Sequence, residues 1–170
     1  GPRTLRVAFL LHPDHPDNEL QVAQRTATAL GVYLQPIEMR GPGDLDAAFN
    51  ATIQAKVDAL YVVASRQTVL SIPRIVNFAI QNELPLAGGW GAWAAAGGLL
   101  SYGPNPGEVV RAAATYIDKV LKGAKPADLP VQRPTRFELQ VNVRSAKALG
   151  LSIPEAFWAR ADKVIQLGPN

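Results

Sequence analysis

Apolar positions change period repeatedly along this chain, from unbroken runs to a spacing of three and four residues and back again. Leu5-Arg6-Val7-Ala8-Phe9-Leu10-Leu11 is a near-continuous apolar run closed by His12-Pro13, the pattern of a buried strand. Leu20, Ala23, Ala27 and Leu30 then recur at helical spacing, and Gly31 follows as a stop. Residues 32–39 predict a second strand, placed at an edge by Pro36, which cannot donate a ladder hydrogen bond. Pro42-Gly43-Asp44 opens a helix, with Asp44 as N-cap and Leu45, Ala48, Phe49 and Ile53 as its buried face. Residues 58–64 predict a third strand. After a polar turn, Ile72, Ile75, Val76, Ala79 and Ile80 mark a helix, with Ser71 as its cap and Pro73 in its first turn. Residues 84–87 form a fourth, short strand that runs into Gly88-Gly89.

This alternation of strands and helices, with strands apolar almost throughout, predicts an α/β fold. It is a three-layer arrangement, a mostly parallel sheet with helices on both faces. The remainder is less regular. A strand is expected at 99–102, and a long helix from Pro106 carries Val110, Ala113, Ile117 and Leu121 on one side and closes at Gly123. Residues 125–134 are proline-rich and extended. Residues 137–141 alternate as a strand does, a short helix ends at Gly150, and a last helix is expected from Glu155 to about Val164.

Composition narrows the function more by exclusion than by assertion. The 170 residues are 48% hydrophobic and 18% charged, which describes a globular chain able to bury about two-thirds of its unfolded surface. The net charge is +3 with scattered cations, and the densest group (Arg133, Arg136, Arg144, Lys147) is interleaved with apolar residues, so no nucleic-acid partner is expected. There are no cysteines, hence no disulfide and no thiolate chemistry. No apolar run reaches the ~20 residues that span a bilayer. Gly1-Pro2 reads as a scar of tag cleavage. No nucleophile elbow, phosphate-binding lysine loop or dinucleotide fingerprint is present, so no catalytic residue, cofactor or metal is assigned and the chain is not expected to be an enzyme.

In an open parallel sheet, ligands bind beyond the carboxyl ends of the strands, near the point where strand order reverses. Three loops are therefore candidates. The loop His12-Pro13-Asp14-His15-Pro16-Asp17-Asn18 feeds a helix N-terminus; its residues suit turn chemistry, contact with a small ligand through His12, Asp14 and Asn18, or a metal through its histidines and aspartates. The loop Ser65-Arg66-Gln67-Thr68 offers hydroxyls, an amide and a fork-shaped cation; Arg66 either grips a ligand carboxylate or is simply solvated. The third, Gly88-Gly89-Trp90-Gly91-Ala92-Trp93, lets backbone approach a ligand at Gly89 and offers an indole face at Trp90, while Trp93 is expected to pack on the sheet.

Residues 97–105 (Gly-Gly-Leu-Leu-Ser-Tyr-Gly-Pro-Asn) and 112–131 (Ala-Ala-Ala-Thr-Tyr-Ile-Asp-Lys-Val-Leu-Lys-Gly-Ala-Lys-Pro-Ala-Asp-Leu-Pro-Val) closely resemble the ABC-transporter substrate-binding family that includes tryptophan and tyrosine binders. Residues 137–142, 146–154 and 159–162 match the tail of that family, and Arg6 to Pro13 resembles the start of its second lobe. The resemblance implies a type I periplasmic binding fold: two flavodoxin-like lobes, a hinge of crossing strands and a ligand held in the cleft between them. It implies that residues 3–96 are a ligand-binding lobe, that 97–131 cross to an amino-terminal lobe missing here, and that 132–170 return to complete the lobe. The implied role is solute capture for an ABC importer, by a periplasmic or cell-surface lipoprotein that meets an ABC permease. The same fold also serves ligand sensing in signalling or regulatory proteins, which is the alternative. Apolar surface on Val110, Ile117 and Leu121 would lack its usual cover, so a homodimer of the fragment is expected, visible by light scattering. Amino-acid binders of this family tend to carry an aspartate after the third strand. Ser65-Arg66-Gln67-Thr68 stands here instead, which points to an anionic or a neutral polar or aromatic small molecule.

Overall fold

The computed structural model describes residues 4–14 and 18–166. Seven strands form one sheet: β1 (Arg6–Leu11), β2 (Tyr33–Glu38), β3 (Ala59–Val62), β4 (Leu86–Gly88), β5 (Leu100–Pro104), β6 (Phe137–Asn142) and β7 (Lys163–Ile165), in the spatial order β2-β1-β3-β4-β5-β6-β7. The first five are mutually parallel, β6 runs antiparallel to β5, and β7 is parallel to β6. Pro36 lies in β2, the edge strand, opposite Phe9, as its missing N–H demands.

Period two divides the strands between two faces. Ala8 and Leu10 of β1, Leu60 and Val62 of β3 and Leu86 of β4 point to one face. There they meet Leu45 and Ala48 of α2 (Leu45–Gln54), Ile75, Val76, Phe78 and Ala79 of α4 (Ile72–Gln81) and Trp93 of α5 (Gly91–Ala95). Phe49 and Phe78 stack at 4.1 Å between α2 and α4. The other face carries Phe9, Leu11, Val63 and Tyr61, covered by α1 (Glu19–Leu30) through Leu20 and Ala23. Helix α1 ends where expected, Gly31 taking the left-handed conformation that glycine adopts without a steric cost.

Several local expectations give way to tertiary packing. Asp44 sits at the N-cap of α2, but its side chain does not cap; Oδ2 accepts instead from the amides of Arg40 and Gly41. Leu30, Ile53 and Ile80 stay exposed although they keep helical spacing; each falls in the last turn of its helix. Residues 65–68 are not a free turn. They begin the short helix α3 (Arg66–Leu70), in which Ser65 and Thr68 form a reciprocal cap. At the carboxyl end, the last helix (Glu155–Trp158) stops after one turn and Val164 belongs to strand β7. Pairing with β6 overrides the helical period there: Leu139 donates its amide to the Asp162 carboxylate and accepts from the Asp162 amide, each at 2.9 Å.

Lys56 and Glu83 take left-handed conformations just beyond the ends of α2 and α4, with φ of 47° and 53°. A side chain there strains the backbone. Glu83→Gly is expected to raise stability by up to ~1 kcal/mol, checked by urea denaturation. A loss of stability would show that Glu83 makes contacts that outweigh its strain.

Candidate functional site

The strand order turns at β1: the chain leaves it toward β2 on one side and continues through β3, β4 and β5 on the other. The crevice that this leaves at the carboxyl edge lies between the ends of β1 and β3. Because β3 also pairs with β4, the segments beginning at His12, Ser65 and Gly89 sit side by side on that edge. All eight sequence-predicted residues (His12, Asp14, Asn18, Ser65, Arg66, Gln67, Gly89 and Trp90) belong to these segments. His15 and Asp17, with the metal reading that used them, lie outside the described residues.

The roles of these residues differ once their partners are known. His12 Nδ1 accepts from the Asp14 amide at 3.1 Å, which folds the loop on itself. The Asp14 carboxylate pairs with Arg40 at 2.8 Å, so its charge is answered by a strand-end arginine outside the crevice. Asn18 precedes α1 without using its side chain as a cap. The Ser65 hydroxyl is committed internally, accepting from the Thr68 amide and lying 3.2 Å from Thr68 Oγ1, which itself bonds the Val63 carbonyl at 2.8 Å. Arg66 and Gln67 follow with side chains that have no partner among the described residues. Trp90 precedes α5 and is 40% exposed, whereas Trp93, three residues on, is fully buried.

The floor of this edge adds a residue that the loop-based reading missed. Tyr61 stacks on Phe9 at 5.3 Å, and its hydroxyl reaches Gly89: a Cβ placed on Gly89 would lie 3.8 Å from that oxygen. The signal was the alternation in Leu60-Tyr61-Val62, which turns Tyr61 away from the main core. Burial raises the Tyr61 pKa above its usual 10.0, and the Glu19 carboxylate adds to the shift. The sign follows from linkage. Up to pH 10 folded and unfolded chains both keep the proton; above it the unfolded chain loses it first, so stability drains as pH climbs toward the folded value. Tyr61→Phe should flatten that part of the stability profile in denaturation series run at increasing pH.

Tight backbone approach holds the third loop in place. Gly103 of β5 faces the Gly89 carbonyl so closely that a Cβ on Gly103 would stand 1.5 Å from that oxygen. Beyond β5, Asn105 caps α6 (Pro106–Leu121) by accepting from the Glu108 amide, and donates to Glu138 of β6 at 2.6 Å. Tyr102 and Phe137 stack at 5.8 Å beside this junction. Helix α6 then leaves the sheet edge and buries none of its residues; Val110, Ile117 and Leu121 are exposed, as is Val131 after the helix.

The strand order is flavodoxin-like, and the polar loops named above follow its strands at the carboxyl edge, where α/β sheets of this kind hold ligands. The family model for "ABC transporter substrate binding protein" matches residues 3–165, and the chain belongs to that family. Two solved structures are closely similar in fold. A conserved domain protein from Vibrio cholerae superposes with a TM-score of 0.86 at 24% identity, covering 94% of this chain and 54% of that one. An ABC domain from Streptococcus pneumonia, in complex with L-Trp, gives 0.85 at 25% identity, with 95% and 56% covered. A ligand-free, open substrate-binding protein with adhesive properties from Clostridium difficile gives 0.66 at 20%, with 98% and 56% covered. The chain thus spans little more than half the length of these relatives. No curated protein matches it in sequence.

Proposed function

We propose that this chain is one lobe of a two-lobed solute-binding protein serving an ABC importer, and that the carboxyl edge of its sheet is one wall of the ligand cleft. The observation that carries this is the convergence of the three polar loops at the switch point, on a chain of the substrate-binding family. Residues 97–131 form the excursion toward the second lobe: α6 buries nothing here, and its apolar side is a surface made for cover. In a preparation of this chain alone, a second copy takes that place. The protein acts outside the cytoplasm, as a periplasmic protein or a cell-surface lipoprotein, and hands its ligand to a permease once the lobes have closed. No helix among the described residues is long and apolar enough to cross a membrane.

Sharing contacts between two lobes weakens each alone. A micromolar ligand, roughly −8 kcal/mol, would be held only near millimolar by half its contacts. The first test is therefore the intact mass of the mature protein, recovered by immunoprecipitation from an extracytoplasmic extract of the source cells. A mass near twice this chain's 18.2 kDa supports the two-lobed protein. A mass near 18.2 kDa, or recovery from the cytoplasm alone, refutes the clamp or the compartment respectively.

A further inference from the structure

At the opposite, amino edge of the sheet, a cavity of about 360 Å³ opens among α4, α5 and α7 (Val143–Ala148). Glu83 and Leu84 stand before β4 and Leu99 before β5, so roughly 16 Å of chain, from 84 to 89, separates the cavity from the Gly89 loop. Its lining is mostly apolar and includes Ile80, Leu84, Ala95, Leu99, Ala148 and Leu149. The walls are tied together, since Asn142 donates to the Ala94 carbonyl at 2.9 Å and Ser145 to the Gly97 carbonyl at 2.7 Å. The cavity is therefore built into the packing of the helices, and its volume suits a small molecule. Two charged residues, Glu83 and Arg144, line it, and neither side chain has a hydrogen bond or ion pair among the described residues.

Both charges sit where local physics disfavours them. Glu83 directly follows the C-cap of α4, whose last turn holds no basic residue, so its carboxylate meets the negative end of the helix. It also takes a left-handed conformation that glycine would adopt without strain. Arg144 lies in the first turn of α7, beside amides that favour a negative charge. Breaches of local preference persist where function holds them. Here three of them border one cavity, which presents a carboxylate and a guanidinium together with apolar walls. A solute of one sign would leave one of these charges opposed or unanswered, whereas a solute carrying both signs answers both. We propose that this cavity is a second binding site, separate from the proposed ligand wall, for a small zwitterion with an apolar body. Its ammonium is set against Glu83 and its carboxylate against Arg144.

The test uses the ¹⁵N-labelled 170-residue chain, with amide shifts followed at 79–84, 95–99 and 142–149. Leucine and 6-aminohexanoate are the zwitterions. The analogues 4-methylpentanoate and 3-methylbutylamine keep an apolar body but carry one charge each, and sodium chloride matches the ionic strength. At least one zwitterion is expected to bind there about tenfold or more tightly than either singly charged analogue, the size of one charge-assisted hydrogen bond. The tighter of the two zwitterions tells whether the charges are held adjacent or apart. Glu83→Gly should erase the preference while its urea midpoint stays level or rises, which separates a lost contact from a lost fold. Arg144→Gln should erase it as well. A singly charged analogue that binds as tightly, or shifts reproduced by sodium chloride alone, would overturn the zwitterion. No saturable shift at these amides up to tens of millimolar overturns the site itself, whatever happens at 64–68 and 88–91, where the proposed ligand wall stands or falls separately.

Discussion

Gly103→Ala is expected to lose about 3 kcal/mol of folding stability and to dislodge the Gly89–Trp90 turn. The added methyl would stand 1.5 Å from the Gly89 carbonyl oxygen, far inside van der Waals contact, and the obstacle is backbone on both sides. A flexible side chain would swing away cheaply; two paired strand ends do not. Overpacking a closed interior typically costs ~1–3 kcal/mol, and a backbone-to-backbone clash lies at the top of that range. The strands have a second way to yield, by letting Gly89 and Trp90 move outward, and that displacement would disturb the proposed ligand wall before it costs the fold. Urea denaturation measures the first effect, and the indole N–H resonance of Trp90 reports the second. Gly43→Ala is the control, since a methyl there meets nothing within 4 Å. If Gly103→Ala matched that control in both readouts, the close approach of β5 to the Gly89 loop would be wrong.

Trp93→Ala should cost still more, about 3–5 kcal/mol, while Trp90→Ala stays within about 1 kcal/mol of the parent. The two indoles lie only three residues apart, Trp90 just before α5 and Trp93 within it, yet Trp93 is fully buried and Trp90 is 40% exposed. Trp93 fills the space that Gly88 leaves: a Cβ on Gly88 would lie 2.4 Å from its ring. Removing it leaves a cavity in the core cluster that it shares with Leu86, Ile75, Val76 and Ala79. Removing Trp90 exposes backbone that is already near solvent, so its loss should appear in binding and not in stability. Equal losses of stability from both variants would show that Trp90 is a core residue and withdraw it from the site.

The alternating strands and helices were legible in the chain because each rests on local periodicity. The run 5–11 reads as a buried strand, and the spacing of Ile75, Val76 and Ala79 as a buried helix face, whatever lies far off in sequence. The three candidate loops were legible for a related reason, since a parallel sheet places every strand-to-helix turn on one edge. Tyr61 was less accessible. Its alternation marks it as facing away from the main core, but only the pairing of β3 with β4 brings its hydroxyl beside Gly89. The last strand was misread as helix because residues 155–164 carry no period strong enough to resist the open edge of β6, whose backbone groups needed a partner.

By itself, then, the sequence determined the class of the fold and the family to which its motifs belong, and it nominated the edge of the sheet where ligand contact is proposed. Tertiary structure decided the strand order that sets β1 beside β3 and the burial of Trp93 in preference to Trp90. It also decided that the Ser65 hydroxyl is spent on its own helix while Arg66 stays open. The division follows from range. Periodicity and turn chemistry act over a few residues, whereas strand adjacency, burial and the choice of hydrogen-bond partner depend on which distant segments arrive to fill the same space.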